Sequence, residues 1–473
     1  MFMLEECSNV SLSAAEIAAV LKKDLQNCAD TSFSVSGFST DTRTITLGNC
    51  FIALKGETFN GNRYAAQAAE KGAALCILSE QPDPLPAAPY LIVEDTVQAY
   101  GLIAAYYLER LKSNGTKVVA ITGSSGKTTV KDMTATVLSS WYRTSATVGN
   151  HNNHIGLPYT ILHMHSGTEA AILEMGMNHE GEIRYLTKIA RPDVCIITNI
   201  GTAHIGNLGS QDNIFRAKLE IVEGMNPQTG KLIVSAEDRY LAQSAELPVT
   251  GENLCYISRC GNAEAALQAV EICESPEHTE FTVQYQEESA KVRLPMTGLH
   301  KVTDALLAIQ AGLVLGVPLA KSAEALCSFV PGAMRSDRVI LGNCTIIRDY
   351  YNANPEAMRA SLTALQTIAG DAYRIAVLGN MNELGDYAAN AHRELGEYAK
   401  NIVDAAFFYG PNYADFAKGY GEETQAFTRQ GDLSAALLTL LETKSNQPVY
   451  LLIKGSRGMQ MEHVFEALES ALR

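Results

Sequence analysis

The feature of this sequence that most constrains its fold is an apolar run followed at once by a glycine-rich loop. Residues 118–121 are wholly apolar, and residues 122–129 read Thr-Gly-Ser-Ser-Gly-Lys-Thr-Thr. A continuous apolar run of this length is typical of a parallel strand buried on both faces. The pattern therefore predicts a strand, a tight loop and a helix at the centre of an open α/β sheet.

The same loop predicts a binding site for nucleotide phosphates. Gly123 and Gly126 let the backbone curl so that N–H groups point at phosphate oxygens, while Lys127 neutralises phosphate charge and Thr128 can ligate Mg²⁺. Ile121 stands where the longer GxxxxGK[ST] pattern has its first glycine, so the loop is the shorter GxxGKT form. An ordinary helix-initiating turn is the alternative. We predict that ATP is bound by Gly123, Ser124, Ser125, Gly126, Lys127, Thr128 and Thr129.

Two further apolar runs, 170–173 and 194–197, are also followed by polar residues. Glu174 ends the first run and could reach a metal ion, although a strand-ending glutamate is more often solvated. His204 lies in a glycine-bracketed loop after the second run, at the sheet edge where ligands of open α/β proteins bind. Lys218 follows on a predicted helix, and by default such a lysine is a solvated charge.

The length of 473 residues predicts about three domains. We predict an α/β fold with boundaries at 1–97, 98–330 and 331–473. The first domain is a small α/β unit that opens with a helix at 12–21, capped by Ser13 with Glu16. The central domain has a P-loop-type, mostly parallel sheet with helices on both faces, a hairpin within 251–295 and a buried helix at 305–320. The third domain is Rossmann-like.

Polar loops follow three predicted strands of the third domain. The loops span 349–355, 379–385 and 454–458, and the strands before them span 345–347, 374–378 and 448–453. Because parallel strands end at one edge of a sheet, the three loops should face one cleft. In the first domain, Asp41 and Arg43 could bind a nucleotide-sugar head group or form a structural pair.

Composition excludes several classes of protein. The net charge of −15 argues against non-specific binding to nucleic acid or an anionic membrane. The ten cysteines include no CxxC pair, which indicates reduced thiols, and residues 1–7 carry acidic residues where a signal peptide needs basic ones. With no apolar run of about 20 residues, the chain is predicted to be a cytoplasmic protein that is not embedded in a membrane.

The motifs together resemble the Mur ligase family, the ATP-dependent amide ligases that build the peptidoglycan stem peptide. The resemblance covers nearly the whole chain. It rests on residues 122–129, 149–156, 174–183, 349–355 with Met358, 379–385 with His392, and 454–457.

This resemblance implies a reaction and its cofactors. ATP would phosphorylate the terminal carboxylate of UDP-MurNAc-tripeptide, and the amine of D-Ala-D-Ala would then attack the acyl phosphate. Two Mg²⁺ ions are implied, one held by Thr128 and Glu174 and the other by His204. Lys218 matches a carbamylated lysine, whose anionic carbamate would help to hold Mg²⁺. A monomer is expected, with no nucleic-acid partner.

The resemblance also assigns binding residues. The first domain would bind the UDP-sugar, and the third domain would contact ATP and face the dipeptide. The assigned residues are Ser39, Asp41, Thr42, Arg43 and Lys55 for UDP; Asn152 and Asn153 for the muramoyl group; Arg335 and Asp349 for ATP; and Asn352, Asn354, Glu383 and His392 for the dipeptide.

One position departs from the family pattern GxHNxxNAL. Asp304 stands where an asparagine is expected at the adenine, and an ionised aspartate can accept but cannot donate a hydrogen bond. Other readings are a sibling ligase that adds a single amino acid, a folylpolyglutamate synthase, or a catalytically inactive relative. The single-residue sibling should carry Asp-Asn-Pro-Arg in its last domain, and this chain has no such motif.

Overall fold

The computed structural model describes residues 10–28, 30–242, 247–332, 334–421 and 425–473. Sheets of four, nine and six strands follow one another along the chain, and a two-stranded pair lies near the start. The predicted α/β class with three successive layered units is confirmed. The boundary predicted at 97/98 falls in the first turn of helix α3 (Thr96–Ser113), and the one at 330/331 falls between a helix and a strand.

The first unit is a four-stranded parallel sheet with few helices. Ser13 caps helix α1 as predicted, since its side chain accepts from Glu16 N while the Glu16 carboxylate accepts from Ser13 N. The elements are β1 (Leu12–Ser13), α1 (Ala14–Leu21), β2 (Ser34–Val35), β3 (Gly37–Ser39), β4 (Asn49–Ile52), α2 (Ala65–Glu70), β5 (Leu75–Leu78) and β6 (Tyr90–Ile92).

The central unit is a nine-stranded sheet in the order β15-β14-β13-β12-β11-β10-β7-β9-β8. It is parallel from β8 to β13, and the predicted hairpin forms the antiparallel edge. Its elements are α3, β7 (Lys117–Thr122), α4 (Lys127–Ser139), β8 (Thr144–Ala146), α5 (Gly156–Leu162), β9 (Ala170–Glu174), α6 (Glu182–Ala190), β10 (Val194–Ile197), α7 (Ile205–Leu208), α8 (Gln211–Leu219), β11 (Lys231–Ser235), β12 (Leu254–Ser258), β13 (Leu267–Glu274), β14 (Thr279–Tyr285), β15 (Glu288–Leu294), α9 (Leu299–Val314) and α10 (Leu319–Cys327).

Alternate residues of the central strands enter two different cores. Val119 and Ile121 pack with helices α4, α9 and α10, whereas Val118 and Ala120 pack with α3, α5 and α6 on the other face. Helices on both faces explain why these strands are apolar throughout. The single helix predicted at 305–320 is wrong in one respect: α9 ends at Val314 and α10 begins after Pro318, which cannot continue a helix from the preceding turn.

The third unit is a six-stranded sheet in the order β16-β17-β21-β18-β19-β20, parallel except for the β16–β17 edge. This arrangement confirms the Rossmann-like prediction. Its elements are β16 (Asp337–Leu341), β17 (Cys344–Arg348), α11 (Pro355–Ala369), β18 (Tyr373–Gly379), α12 (Ala388–Lys400), β19 (Ala405–Tyr409), α13 (Tyr413–Tyr420), β20 (Gln425–Phe427), α14 (Gln430–Thr443), β21 (Val449–Lys454) and α15 (Glu462–Leu472).

Two further observations concern the described residues as a whole. Their nine cysteines are all free thiols, and Cys7 lies outside the described residues. Within the same ranges, every helix is too short or too polar to cross a bilayer.

Candidate functional site

The glycine-rich loop lies at the carboxyl edge of the central sheet, between the ends of β9 and β10. The register pairs Ile121 with Glu174 on one side and Thr122 with Ile197 on the other. Gly123 has φ +151°, and a Cβ built there would lie 1.8 Å from Thr198 Oγ1. Only glycine fits this turn, because both its conformation and its space exclude a side chain.

Residues that the sequence reasoning did not assign to the site brace this loop. Ser124 N and Ser125 N donate to the backbone oxygen and the side-chain oxygen of Asn199, each at 3.0 Å, and Thr198 Oγ1 donates to Ser125 O at 2.6 Å. These two amides therefore do not face a phosphate, contrary to the expectation that successive N–H groups of the loop do so. The backbone donors that face a phosphate are instead the N–H groups of the first turn of α4, because they have no acceptor within the helix.

Lys127, at the start of that helix, folds back over the loop. Its Nζ donates to Gly123 O at 2.8 Å. Burial lowers the pKa of the Lys127 ammonium, Glu174 opposes the shift, and Arg335 adds to it. Lys127 and the first turn of α4 together form a positively polarised cradle of the kind that binds phosphate.

Glu174 joins the cradle from the neighbouring strand. It is buried rather than solvated, with 2% of its surface exposed. Its Oε2 accepts from Thr128 Oγ1 at 2.8 Å, and its Oε1 accepts from Asn152 Nδ2 at 2.8 Å. These oxygen ligands suit Mg²⁺, which usually completes its shell with water and substrate phosphate. Among the described ranges, no group of three or more His, Cys, Asp or Glu side chains could hold a metal ion.

Lys218 is buried, so the default expectation of a solvated lysine is wrong. Only 1% of its surface is exposed. Burial, with the nearby charge of Lys127, holds the pKa of the Lys218 ammonium well below its usual value. Burial therefore shifts the balance at this position from the ammonium towards the neutral amine.

His204 meets the third unit directly. Its Nδ1 lies 2.6 Å from Glu383 Oε2, and Glu383 O accepts from Gly206 N at 3.1 Å. Hydrogen bonding to His204, against partial burial, lowers the pKa of Glu383. A Cβ on Gly206 would lie 2.6 Å from Gly385 N, so the two backbones touch here because both residues are glycine.

The three polar loops of the third sheet converge as predicted. Lys454 Nζ contacts Asp349 Oδ2 at 2.6 Å, and Ser456 Oγ accepts from Asn382 N at 2.9 Å. Burial opposes ionisation of Asp349, but Lys454, Ser361 and Lys301 together outweigh it and lower the Asp349 pKa. Asn354 caps helix α11 by accepting from Ala357 N, and its Nδ2 lies 3.4 Å from Ser124 O.

Other predicted nucleotide residues lie near the same cradle. Arg335 stacks over the Tyr351 ring at 3.9 Å, and its charge acts on Lys127. Asp304 packs against the loop, since its Oδ1 would lie 3.0 Å from a Cβ on Gly126. Burial raises the pKa of Asp304 to about 6, although Lys301 at 3.5 Å acts in the opposite direction.

A second cleft, of about 730 Å³, lies between the first sheet and the start of α5. Three of the residues assigned to the substrate, Ser39, Asp41 and Asn153, line it together with His151 and Tyr159. Sequence reasoning missed these two rings, although His151 lies within the quoted 149–156 motif. The cleft is large enough for a ligand of nucleotide size.

Several predicted substrate residues form hydrogen bonds or ion pairs with other side chains of the first domain. Arg43 makes a bidentate pair with Asp41, and that pairing lowers the Asp41 pKa to about 2. Thr42 donates to Gln67, and Lys55 pairs with Glu80.

Two residues assigned to the dipeptide also make contacts within their own domain. His392 is fully buried. Its Nε2 accepts from Met381 N in the loop after β18, and its Nδ1 bonds to Ala388 O one turn earlier in α12, so both ring nitrogens have partners. Asn352 Oδ1 accepts from Ala353 N.

Family models match two-thirds of the chain. Residues 121–312 match the Mur ligase middle domain, and residues 334–457 match the Mur ligase, glutamate ligase domain. The fold and the phosphate cradle thus define a ligase-type nucleotide-binding protein, and the chain belongs to the Mur ligase family.

Individual relatives are similar over almost their whole length. UDP-N-acetylmuramoyl-tripeptide–D-alanyl-D-alanine ligases of Bacillus subtilis and Escherichia coli are each 34% identical, covering 97% of this chain and 98% and 99% of theirs. A crystal structure of MurF from Acinetobacter baumannii is 32% identical with a TM-score of 0.91, covering 98% of this chain and all of that one. MurF from Thermotoga maritima in complex with ADP is 26% identical with a TM-score of 0.81, covering 92% and 97%.

Proposed function

We propose that this chain is an ATP-dependent ligase that joins D-alanyl-D-alanine to UDP-N-acetylmuramoyl-tripeptide in peptidoglycan precursor synthesis. The observation that carries the proposal is the meeting of two domains at one phosphate cradle, where Asn354 of the third domain contacts Ser124 of the loop. Full-length relatives named for this reaction support the choice of substrates. The other product is ADP with inorganic phosphate.

The chemistry assigns distinct tasks to the residues of the cradle. Transfer of the γ-phosphoryl group to the tripeptide carboxylate gives an acyl phosphate and ADP. Lys127 and the first turn of α4 stabilise negative charge on the transferring group. The dipeptide amine then forms the amide bond as phosphate leaves and the nitrogen loses its proton.

Thr128 and Glu174 are the residues that fit a Mg²⁺ ion in this cradle. Both present oxygen atoms, and Glu174 is buried beside the loop. When bound, the ion would offset charge on the phosphate oxygens. A second ion would use His204, whose Nε2 is the ring nitrogen that does not face Glu383.

Lys218 is proposed to carry a carbamate. A neutral lysine amine is the form that reacts with carbon dioxide, and the lowered pKa of Lys218 favours that form. The modification would replace a buried amine near Lys127 with an anion, which would attract the Lys127 ammonium and suits a cation site.

The positions of the second cleft and the phosphate cradle indicate how the UDP-linked substrate would lie. The UDP-sugar is assigned to the cleft of Ser39, Asp41 and Asn153, and Asn152 reaches from the same segment to Glu174. The peptide end would therefore point towards the cradle. We further propose that the enzyme acts as a monomer in the cytoplasm, without a nucleic-acid partner, and that it is not embedded in a membrane.

Phosphate release with a panel of amine acceptors tests the function. The purified protein is given ATP, Mg²⁺ and UDP-MurNAc-tripeptide, with D-Ala-D-Ala or a single amino acid supplied in turn. Release should require D-Ala-D-Ala. Release with single amino acids but not with the dipeptide would refute the assignment and favour a sibling ligase.

Lys218→Ala tests the carbamate. The variant should lose turnover and regain part of it with short-chain carboxylates, while Lys188→Ala, an exposed change on α6, should retain activity. In the wild type, ¹³C-labelled carbon dioxide should give a carbamate signal by NMR that the variant lacks. An equal signal in both proteins would refute the modification.

A further inference from the structure

Lys131 is a buried lysine with no assigned role in binding or in phosphoryl transfer. It lies on α4 one turn after Thr128, and 5% of its surface is exposed. Its Nζ donates to Thr147 O at 2.8 Å and lies 2.8 Å from Asp132 Oδ1. A buried ammonium group costs free energy unless it is paired and hydrogen-bonded, and both conditions hold here. The contact that this charge makes with Thr147 is therefore a specific one.

Thr147, the acceptor of that bond, follows β8 and touches the strand that carries Glu174. Thr147 N donates to Ile172 O at 2.9 Å, and Thr147 Oγ1 accepts from Glu174 N at 3.0 Å. With the bond from Lys131, the backbone N–H, the carbonyl and the hydroxyl of Thr147 all have partners, and only 1% of its surface is exposed. Thr147 is therefore a fixed point between α4 and the end of β9.

The chain that leaves Thr147 forms a bridging segment, residues 148–153, between the phosphate cradle and the second cleft. Three of its side chains line the second cleft: Asn150, His151 and Asn153. A fourth reaches the cradle, where Asn152 Nδ2 donates to Glu174 Oε1 at 2.8 Å. The course of this one segment therefore sets the position of side chains in both places.

The first half of the bridging segment is open to solvent. Residues 148–150 are exposed, and no described atom lies within 4 Å of a Cβ built on Gly149. The segment is held where it begins, at Thr147, and where it ends, at Asn153, whose Oδ1 accepts from Gly156 N at 2.9 Å in the first turn of α5. Loss of the anchor at Thr147 should therefore let the segment move.

We propose that Lys131 is a positioning residue for the UDP-linked substrate, because by holding Thr147 it fixes the bridging segment that lines the second cleft. Lys131 acts through Thr147 O and not by contact with the substrate. Asp132 balances the charge of the ammonium group, so the group needs no ligand anion as a partner. The inference rests on the proposed function, since it takes UDP-MurNAc-tripeptide as the ligand of the second cleft.

Calorimetric titration of UDP-MurNAc-tripeptide, with a non-hydrolysable ATP analogue and Mg²⁺ present, tests this role. Lys131→Met keeps a side chain of similar length and removes the donor, so Kd should rise roughly 5- to 20-fold, as for loss of one charge-assisted hydrogen bond. Kd for the ATP analogue, titrated separately, should not change, because the start of α4 does not depend on the bridging segment. An equal loss of affinity for both ligands would contradict the positioning role.

Lys112→Met is the matched control. Lys112 Nζ also donates to a backbone carbonyl, Arg191 O, and pairs with an aspartate, Asp193, but these contacts lie at the opposite edge of the central sheet. The control should therefore lose a comparable pair of contacts and still bind UDP-MurNAc-tripeptide as the wild type does. Weaker binding in this control, equal to that of Lys131→Met, would indicate a general loss of stability and contradict the inference.

A double-mutant cycle shows whether Lys131 acts through the bridging segment. Asn152→Ala removes the contact of this segment with Glu174, so adding Lys131→Met should weaken binding of the UDP-linked substrate little further. Thr147→Val disturbs the same anchor from the other side, should also raise Kd, and decides the question if Lys131→Met does not fold.

The outcomes separate this inference from the proposed function. Unchanged affinity for UDP-MurNAc-tripeptide in Lys131→Met or in Thr147→Val, or additive losses in the cycle, would overturn the positioning role alone. A wild type that does not bind UDP-MurNAc-tripeptide would overturn the proposed function and the inference with it.

Discussion

Replacing Asp304 with asparagine should stabilise the protein at neutral pH. Asp304 is 7% exposed, and burial raises its pKa from 3.8 to about 6 in the folded chain. The folded state therefore holds this proton more tightly than the unfolded state, and stability falls as pH rises from 3.8 through 6. Above pH 6 the ionised side chain lowers the free energy of unfolding by about 3 kcal/mol, which corresponds to a pKa shift of roughly two units. Asparagine resembles the protonated acid in shape and is spared that cost.

Thermal unfolding of both proteins between pH 5 and pH 8 measures this effect. Asp304→Asn should melt roughly 5–10 °C above the wild type at pH 8, and about half of that difference should remain at pH 5. Asp371→Asn, at an exposed turn, is the control and should show no pH-dependent difference. A gain that is the same at both pH values, or a loss of stability at pH 8, would contradict the argument from burial.

Two further changes test other contacts. Gly123→Ala should abolish ATP binding measured by calorimetry, because its Cβ would meet Thr198 Oγ1 at 1.8 Å; Gly431→Ala, with open space around it, should bind normally. Gly206→Ala should push the third domain away from Gly385, so scattering with nucleotide and substrate bound should show a larger radius of gyration than the wild type; an identical radius would refute that role.

Much of the fold was predictable because local signals agreed with the tertiary structure. The apolar runs at 118–121, 170–173 and 194–197 became adjacent strands β7, β9 and β10, within a residue at each end. Ser13 and Glu16 formed the predicted capping box. The run at 305–320 gave a wrong prediction of one continuous helix, because its apolar residues continue through the turn before Pro318.

The site was harder to predict, because burial and pairing depend on distant segments. Nothing local distinguishes Lys218 from a surface lysine, yet the packing of its helix leaves it 1% exposed. Asn199 braces the glycine-rich loop from another strand, and its position after 194–197 was the available signal.

The most direct test of the proposed reaction is to follow an oxygen atom. UDP-MurNAc-tripeptide labelled with ¹⁸O in its terminal carboxylate is incubated with ATP, Mg²⁺ and D-Ala-D-Ala, and the released phosphate is analysed by mass spectrometry. Phosphorylation of the carboxylate at the cradle of Lys127 and Glu174 predicts that one ¹⁸O atom appears in the phosphate as the amide forms. Unlabelled phosphate released together with the amide product would contradict the account.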